Sequence, residues 1–280
     1  MKILNLGHSI EWSWGAILFF IIHLSCLLVF WVGFSWTGVA LCIGLFLLRK
    51  FAITGGFHRY FSHRSYRTSR FFQFILAFIG GMSAQKGALW WAAHHRHHHK
   101  HSDTEKDVHS ALLRGFYWSH VGWILSKEYN EYDQELVKDL RRYPELVWLD
   151  RYHFIPPLVL LGLCAYFFQW VGVVWGFLIS TVMLYHTTFA INSLCHMFGH
   201  QRYQTGEASK NSWWLALLTL GEGWHNNHHY YPHSTRQGFF WWEIDITYYI
   251  LKVLSWFGIV WDLKAPPARI LKPEAIAVSK

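Results

Sequence analysis

The chain has 280 residues and a formal net charge of +8, yet 52% of it is hydrophobic and only 15% charged, against roughly 25% charged in an average globular chain. Aromatic residues reach 19%, with 18 Trp, a pattern that suits a surface partly turned to lipid with rings anchored at the headgroup level and excludes a disordered chain, a coiled coil or a collagen-like fibre. Cys26, Cys42, Cys164 and Cys195 are scattered through apolar stretches with no CxxC pair, so neither a disulfide framework nor a zinc knuckle is expected, whereas the 20 histidines are far more than such a composition needs.

From the N-terminus, no Lys or Arg occurs between Lys2 and Arg49, and Glu11 is the only acid there. A bilayer span needs about 20 apolar residues, so this window predicts a span over 14–34, a turn around Ser35 to Gly38 and a second span over 36–54. The apolar run is too long, and too promptly followed by another, for a cleaved signal peptide. Residues 71–85 are apolar but short and contain Gly80-Gly81, which predicts a helix lying in or dipping into the interface. The charged, patterned run 127–151 reads as a surface helix. Between Arg151 and Arg202 there is no charged residue at all, which predicts spans over 153–170 and 173–194 with a tight turn near Gln169 to Gly172. The tail after Ala265 reads as loose. The expected fold is an all-α integral membrane protein: a single domain over 1–280, with four transmembrane helices in two hairpins under a helical cap formed by 55–152 and 195–280. Nearly every Lys and Arg falls in 49–151 and 202–280, so the positive-inside rule places the cap and both termini in the cytoplasm, of a bacterial inner membrane. That face accounts for the net charge without nucleic acid.

Most histidines form three clusters on the cap side. His58 and His63 are spaced HxxxxH; His95, His98 and His99 are spaced HxxHH, as are His225, His228 and His229. On an α-helix, positions i, i+3 and i+4 share a face, so each HxxHH box aims three imidazoles at one point. His58 and His63 lie roughly 140° apart on an α-helix, which predicts that they reach across the site rather than meet side by side. Imidazole-rich shells suit iron, zinc, copper or nickel rather than magnesium or calcium. His8, His23, His153 and His186 read as structural.

The stretches Ile53-Thr-Gly-Gly-Phe-His58-Arg-Tyr-Phe-Ser-His63, His95-Arg-His-His-His-Lys100, Gly115-Phe-Tyr-Trp-Ser-His-Val-Gly-Trp123, Asn192-Ser-Leu-Cys-His196 and Gly221-Glu-Gly-Trp-His-Asn-Asn-His-His229 resemble, in order, those of membrane fatty acid desaturases of the acyl-CoA (stearoyl-type) and bacterial delta-9 branch. The resemblance implies four membrane helices under a cytoplasmic cap holding two irons. It implies nine histidine ligands, His58, His63, His95, His98, His99, His196, His225, His228 and His229, with Asn192 holding a water on one iron. His94, His97 and His101 fall outside the box positions, His120 is expected to support the fold, and no role attaches to His200 or His233. Glu222 is placed either to hydrogen-bond a ligating imidazole or to cap a helix. The same analogy puts the closed end of an acyl tunnel near Cys42 and Phe46.

The implied reaction is O2-dependent insertion of a cis double bond, delta-9 by analogy, into a saturated acyl chain. No flavin, nicotinamide or haem motif is present, so electrons would come from a separate donor, cytochrome b5-like or a ferredoxin or rubredoxin with its reductase. Animal acyl-CoA desaturases carry an Arg-Asp pair where this chain has Ala93 and His94, and one basic position of a downstream pair is here Glu128, after Lys127; a membrane glycerolipid therefore competes with acyl-CoA as substrate. Two alternatives are a di-iron fatty acid or alkane hydroxylase, and, from another class, a metal transporter or metal-buffering protein. The absence of carboxylates within the spans argues against the transporter.

Overall fold

The computed structural model describes residues 14–272; His8 and Glu11 lie outside them. The protein is mostly helical. Among the described residues three helical stretches are long and apolar enough to cross a membrane: α1, Trp14–Val32; α2, Trp36–Ser62; and Ile155–Met197. Gly33, at a φ of +78°, makes the turn after α1, and Ser35 caps α2 by accepting from the Gly38 N–H at 3.2 Å. The third stretch folds back on itself. Its first arm, here called α7, is Ile155–Val171; the backbone breaks at Gln169, where φ is +50°, and a Cβ on Gly172 would lie 2.2 Å from the Cys164 carbonyl oxygen. The return arm passes through Gly172–Ile179 into α8, Ser180–Met197. The arms share one core of Leu160, Cys164, Val174, Phe177 and Leu178, packed by Ile22, Cys26, Val29, Val32 and Leu45. The outward faces of α1, α2 and α7 carry Phe30, Trp31, Trp36, Tyr166 and Phe167, all exposed, the apolar coat of a surface that meets lipid.

Between the two long pairs lie α3, Arg70–Gly81; α4, Ala88–His101; α5, Ala111–Tyr117; and α6, Pro144–Arg151. Helix α3 buries Gln73, Leu76, Ala77, Gly80 and Gly81. Gly80 is required, since a Cβ there would sit 2.2 Å from Phe57 Cε1. Asp150 fixes the start of α4, accepting from the Leu89 and Trp90 N–H groups at 3.1 and 2.9 Å. After α8 come α9, Trp213–Leu218; α10, His225–Tyr230; and α11, Ile246–Trp256, whose Asp245 cap accepts from Tyr248 N–H at 3.0 Å.

Three expectations need correction. Helix α2 does not stop at 54 but runs to Ser62, its last eleven residues, Ala52–Ser62, in π-helical form. Residues 127–151 are not one helix: Lys127–Asn130 and Gln134–Val137 are 3-10 turns, Lys138–Arg141 a single α turn, and α6 restarts at Pro144, because Pro lacks the N–H to continue a helix but suits its first turn. The tail beyond Ala265 is anchored through Leu271: Ile270 is buried beside Tyr203 and Phe239, and its carbonyl accepts from the Tyr203 hydroxyl at 2.9 Å.

Candidate metal centre

The π-helical end of α2 supplies His58 and His63. An i→i+5 backbone turn widens the helix, and here the His63 N–H donates to the His58 carbonyl at 3.3 Å. The two rings therefore stand on one face, 5.0 Å apart, contrary to the α-helical expectation that they reach across the site. Helix α4 supplies His95, His98 and His99, and the last turn of α8 supplies His196. Helix α10 supplies His225, His228 and His229, and the two asparagines between them hold it in place. Asn211 Oδ1 accepts from the Asn226 and Asn227 N–H groups at 3.0 and 3.1 Å, while Asn226 Oδ1 accepts from the Arg202 and Tyr203 N–H groups.

These histidines form two convergent groups. One ring nitrogen from each of His58, His63, His95, His99 and His228 lies within 4.8 Å of the others, and the same holds for His98, His196, His225 and His229. In the first group Nε2 of His228 is 3.0 Å from that of His58 and 2.9 Å from that of His99, and His63 and His95 meet at 2.7 Å. In the second, His196 and His225 meet at 3.1 Å. The groups abut where the His99 and His229 rings stack at 4.4 Å.

Carboxylates stand behind the rings. Glu222 is paired with His58 Nδ1 and with Arg59, at 2.9 Å; Asp107 lies 3.1 Å from His98 Nδ1; Asp103 lies 3.0 Å from His196 Nδ1; and Glu207 lies 3.6 Å from His229 Nδ1. This is how metal-binding imidazoles are usually oriented. Burial raises the Glu222 and Asp103 carboxyl pKa values, but for Glu222 His58 and Arg59, and for Asp103 chiefly His196, hold them at about 2. Burial acts on Asp107 in the same sense, yet His98 and His109 keep it well below the ordinary carboxylate value. Burial, then the neighbouring imidazoles, push His63, His95, His99, His225, His228 and His229 well below the usual histidine value, so their lone pairs are free for a cation at neutral pH. His229 Nε2 is buried without a hydrogen-bond partner among the described residues. An all-nitrogen donor set backed by acids suits iron, zinc, copper or nickel rather than magnesium or calcium.

A cavity of about 240 Å³ leads to the histidines, reaching His58, His95, His98, His225, Glu222 and Asn192. Its walls are largely aromatic and aliphatic: Trp90, Trp91, Trp123, Leu125, Phe154 and Phe189 among others. Cys42 and Phe46 are buried but outside this lining; toward α2 the cavity stops at Lys50 and Ile53. The reason is Arg49, which fills the space beneath with hydrogen bonds to the Leu45 and Met82 carbonyls and to Thr181 and Ser180.

Among the other histidines, His94 is buried, packed at a tilt against Trp90 with ring centres 4.4 Å apart, and lines the cavity. His97 meets the Lys106 carbonyl at 2.9 Å on the outer side of α4. His23, His186 and His120 form a chain of contacts at 3.1 and 3.0 Å that ends on Ser193. His200 and His233 are exposed. Sequence reasoning missed Asp103, Asp107, Glu207 and the buried His109. A usable signal existed for two of them: in a chain with only 17 acids, Asp103 and Asp107 follow directly on the second box.

Long apolar helices, buried histidine clusters and an apolar cavity running to them define a membrane oxidoreductase that acts on an aliphatic chain. The fatty acid desaturase family profile matches residues 34–255, and the chain belongs to this family. It is 38% identical over 273 residues, 94% of this chain and 84% of the relative, to an sn-1 stearoyl-lipid 9-desaturase of Synechocystis sp.. It is 35% identical over 268 residues, 93% of each, to an sn-2 palmitoyl-lipid 9-desaturase of Nostoc sp.. An acyl-CoA 5-desaturase of Anemone leveillei is 35% identical over 249 residues, 88% of this chain and 77% of the relative.

Proposed function

We propose that this desaturase inserts a cis double bond at the delta-9 position of a saturated acyl chain carried on a membrane glycerolipid. His58, His63, His95, His99 and His228 would hold one iron ion, and His98, His196, His225 and His229 the other, with Asn192 positioning a water. The observation that carries this reading is the pair of convergent histidine groups at the inner end of an apolar cavity. The lipid-linked 9-desaturases named among the relatives support the position and the carrier, and Ala93 and His94, where acyl-CoA enzymes of animals have Arg-Asp, fit a substrate without coenzyme A.

Bound iron would supply O2 activation and the removal of two hydrogens; the balance requires two electrons from a separate donor and two protons from solvent, and O2 leaves as two waters. The chain's own residues do the rest. Neutral imidazoles offer lone pairs, the carboxylates fix their tautomers and orientation, and the aromatic walls exclude water and present one CH2–CH2 pair to the centre. Four membrane crossings with the histidines on the cytoplasmic side are part of this reading, supported by the two folded-back helix pairs and the distribution of Lys and Arg.

The test is expression in a bacterium that makes few unsaturated acids, beside His225→Ala, with gas chromatography–mass spectrometry of fatty acid methyl esters and bond location by disulfide adducts. A delta-9 monoene absent from the control supports the reading. A hydroxy acid, or a monoene at another position, would refute it in that respect.

A further inference from the structure

One flank of the cavity is open. Among the described residues that line it, the exposed ones are Gly15 and Leu18, on the cap-side half of α1, and His153 and Phe154, at the start of α7. The walls drawn from the cap are shut: Trp90 and Trp123 are buried and stack with ring centres 5.8 Å apart, and buried His94 and His109 pack against them. The flank is open because different neighbours hold the two helices there. Gly15, Leu18 and Ile22 fall on one face of α1 and line the cavity, while Ala16 and Phe19 on the adjoining face join a core with Tyr185 and Phe189 of α8. The start of α7 rests on α3 instead, where a Cβ on Gly81 would stand 3.0 Å from Pro156 Cγ. Only farther from the cap do α1 and α7 share a core, Cys26 and Val29 with Leu160 and Cys164. Ala84, Gln85 and Lys86 also line the cavity. Ala84 and Lys86 hold φ of +54° and +63°, costly for residues with a Cβ, and the Tyr185 hydroxyl secures the bend by donating to the Ala84 carbonyl at 3.1 Å.

We infer that the acyl chain reaches the histidines sideways from the membrane, through the gap between the cap-side ends of α1 and α7, while the glycerol end of its lipid stays at the rim beside Lys86 and His153. Leu18 and Phe154 are 59% and 50% exposed, on the flank that meets lipid. The chain therefore passes from the bilayer to aromatic and aliphatic walls without crossing water, and no apolar surface is hydrated on the way. The rim turns polar toward the cap, where the Lys86 amine bonds to Asn130 Oδ1 at 2.6 Å and lies 4.8 Å over the Trp90 ring, and where the His153 side chain is exposed. A long amphipathic side chain at such a boundary keeps its polar head at the headgroup level, which is also the level of a glycerol ester. An acyl-CoA arriving from water would need an opening through the cap, and there the walls are buried tryptophan and histidine. The inference rests on the proposed glycerolipid substrate and adds the route by which that lipid engages the cavity.

The test traps the chain inside the protein and needs no turnover. Purified protein in vesicles of phosphatidylglycerol and phosphatidylethanolamine receives a trace of phosphatidylglycerol whose palmitoyl chain ends in a diazirine; it is illuminated, and the labelled residues are mapped by peptide mass spectrometry. Leu18→Cys/Phe154→Cys is treated in the same way, before and after its two new thiols are joined by a cleavable bis-methanethiosulfonate. The wild type and the unbridged variant are expected to carry label inside the cavity, at Ile53, Thr54 or Trp91. Bridging is expected to cut that labelling about ten-fold or more, a decade in apparent binding, to leave label on the outer face of α7, and to be undone by reductant. Inside labelling that is absent from the wild type, or unchanged by the bridge, would overturn the inference. So would inside labelling obtained from the matching palmitoyl-CoA added from water but not from the lipid. If the unbridged pair is itself unlabelled inside, Leu18→Cys/Pro157→Cys repeats the comparison and decides. The fatty acid assay in the host keeps the two readings apart: inside labelling without a delta-9 monoene overturns the substrate reading alone, and a monoene formed on glycerolipid without inside labelling overturns the route alone.

Discussion

Replacing Asp107 by Asn isolates what the carboxylates behind the histidines contribute. Asp107 is fully buried and receives three N–H groups: His98 Nδ1, 3.1 Å from each oxygen, the Asp103 backbone at 2.9 Å and the His109 backbone at 3.2 Å. Asn keeps the shape and one oxygen, loses the charge, and turns an NH2 toward one of those donors. The backbone donors sit on different oxygens, Asp103 N–H on Oδ2 and His109 N–H on Oδ1, so the NH2 faces one of them whichever way it lies, while His98 Nδ1, within reach of both, keeps one oxygen and loses the charge behind it. A hydrogen bond to a charged group is worth about 1.5–3 kcal/mol, which corresponds to roughly ten- to hundred-fold in an equilibrium constant and matches the usual effect of removing a metal ligand's outer partner. The expected outcome is therefore a ten- to hundred-fold loss of iron affinity in competition with a chelator, with desaturation falling in parallel at limiting iron. An affinity unchanged within about three-fold would refute the claim that Asp107 orients His98. A loss beyond about ten-thousand-fold would refute it from the other side, by making Asp107 itself a ligand.

Gly80→Ala should destabilise the protein by about 1–3 kcal/mol in thermal unfolding, because the new Cβ meets Phe57 at 2.2 Å, and it should loosen iron, since Phe57 precedes His58. Burial pushes the Lys86 amine down to about 8 against the pull of Glu131 and Asp150. The unfolded chain then binds more protons between about pH 8 and the ordinary lysine value, so this residue makes stability rise with pH across that window; Lys86→Met should remove that rise in unfolding measured from pH 7 to 10.5, and an unchanged slope would count against it. Stripping the metal should lower the melting temperature, because an ion that binds only the folded state adds roughly 2.7 kcal/mol at a hundred times its dissociation constant; equal melting temperatures with and without iron would show that the clusters hold none.

How much of this was legible in the sequence depended on the kind of signal. Charge-free windows located the long helices, because a membrane-length apolar run has few alternative uses. The HxxHH boxes were legible because α-helical spacing puts i, i+3 and i+4 on one face, but neither box converges on one point as expected: His95 and His99 of α4 join one group and His98 the other, while in α10 His225 and His229 join the second and His228 the first, because each face lies against both groups. HxxxxH was misread for the same reason: local spacing was converted with α-helical geometry, and the π turn that joins His58 to His63 leaves no mark in the pattern of residues. Asp103, Asp107 and Glu207 were missed because their partners come from other segments, so nothing local announces them. The run 127–151 shows the opposite failure: a plausible amphipathic pattern was broken by Pro144 and by caps such as Asp133, whose side chain accepts from the Glu135 N–H at 2.9 Å.

Helix α2 ties these observations to specificity. Within its 27 residues it carries Arg49, which closes the cavity toward Cys42 and Phe46, then Lys50 and Thr54 on the cavity wall, then His58 in the first histidine group. The eight residues from Lys50 to His58 span about 12 Å at α-helical rise, and less where the helix widens. Since both ends sit on one continuous helix, the separation between Lys50 and the metal-binding rings is set by backbone hydrogen bonds and cannot drift with a loop. The backbone change that aligns His58 with His63 also shortens that separation, so the π-helical segment acts on two properties at once: which imidazoles converge, and how far the inner end of the cavity at Lys50 lies from them. Restoring α-helical geometry there, by deleting one residue between Ala52 and Phe57, would be expected to weaken iron binding and change the accepted chain length together, and a variant that changed chain length while keeping its iron would separate the cavity's depth from the metal site.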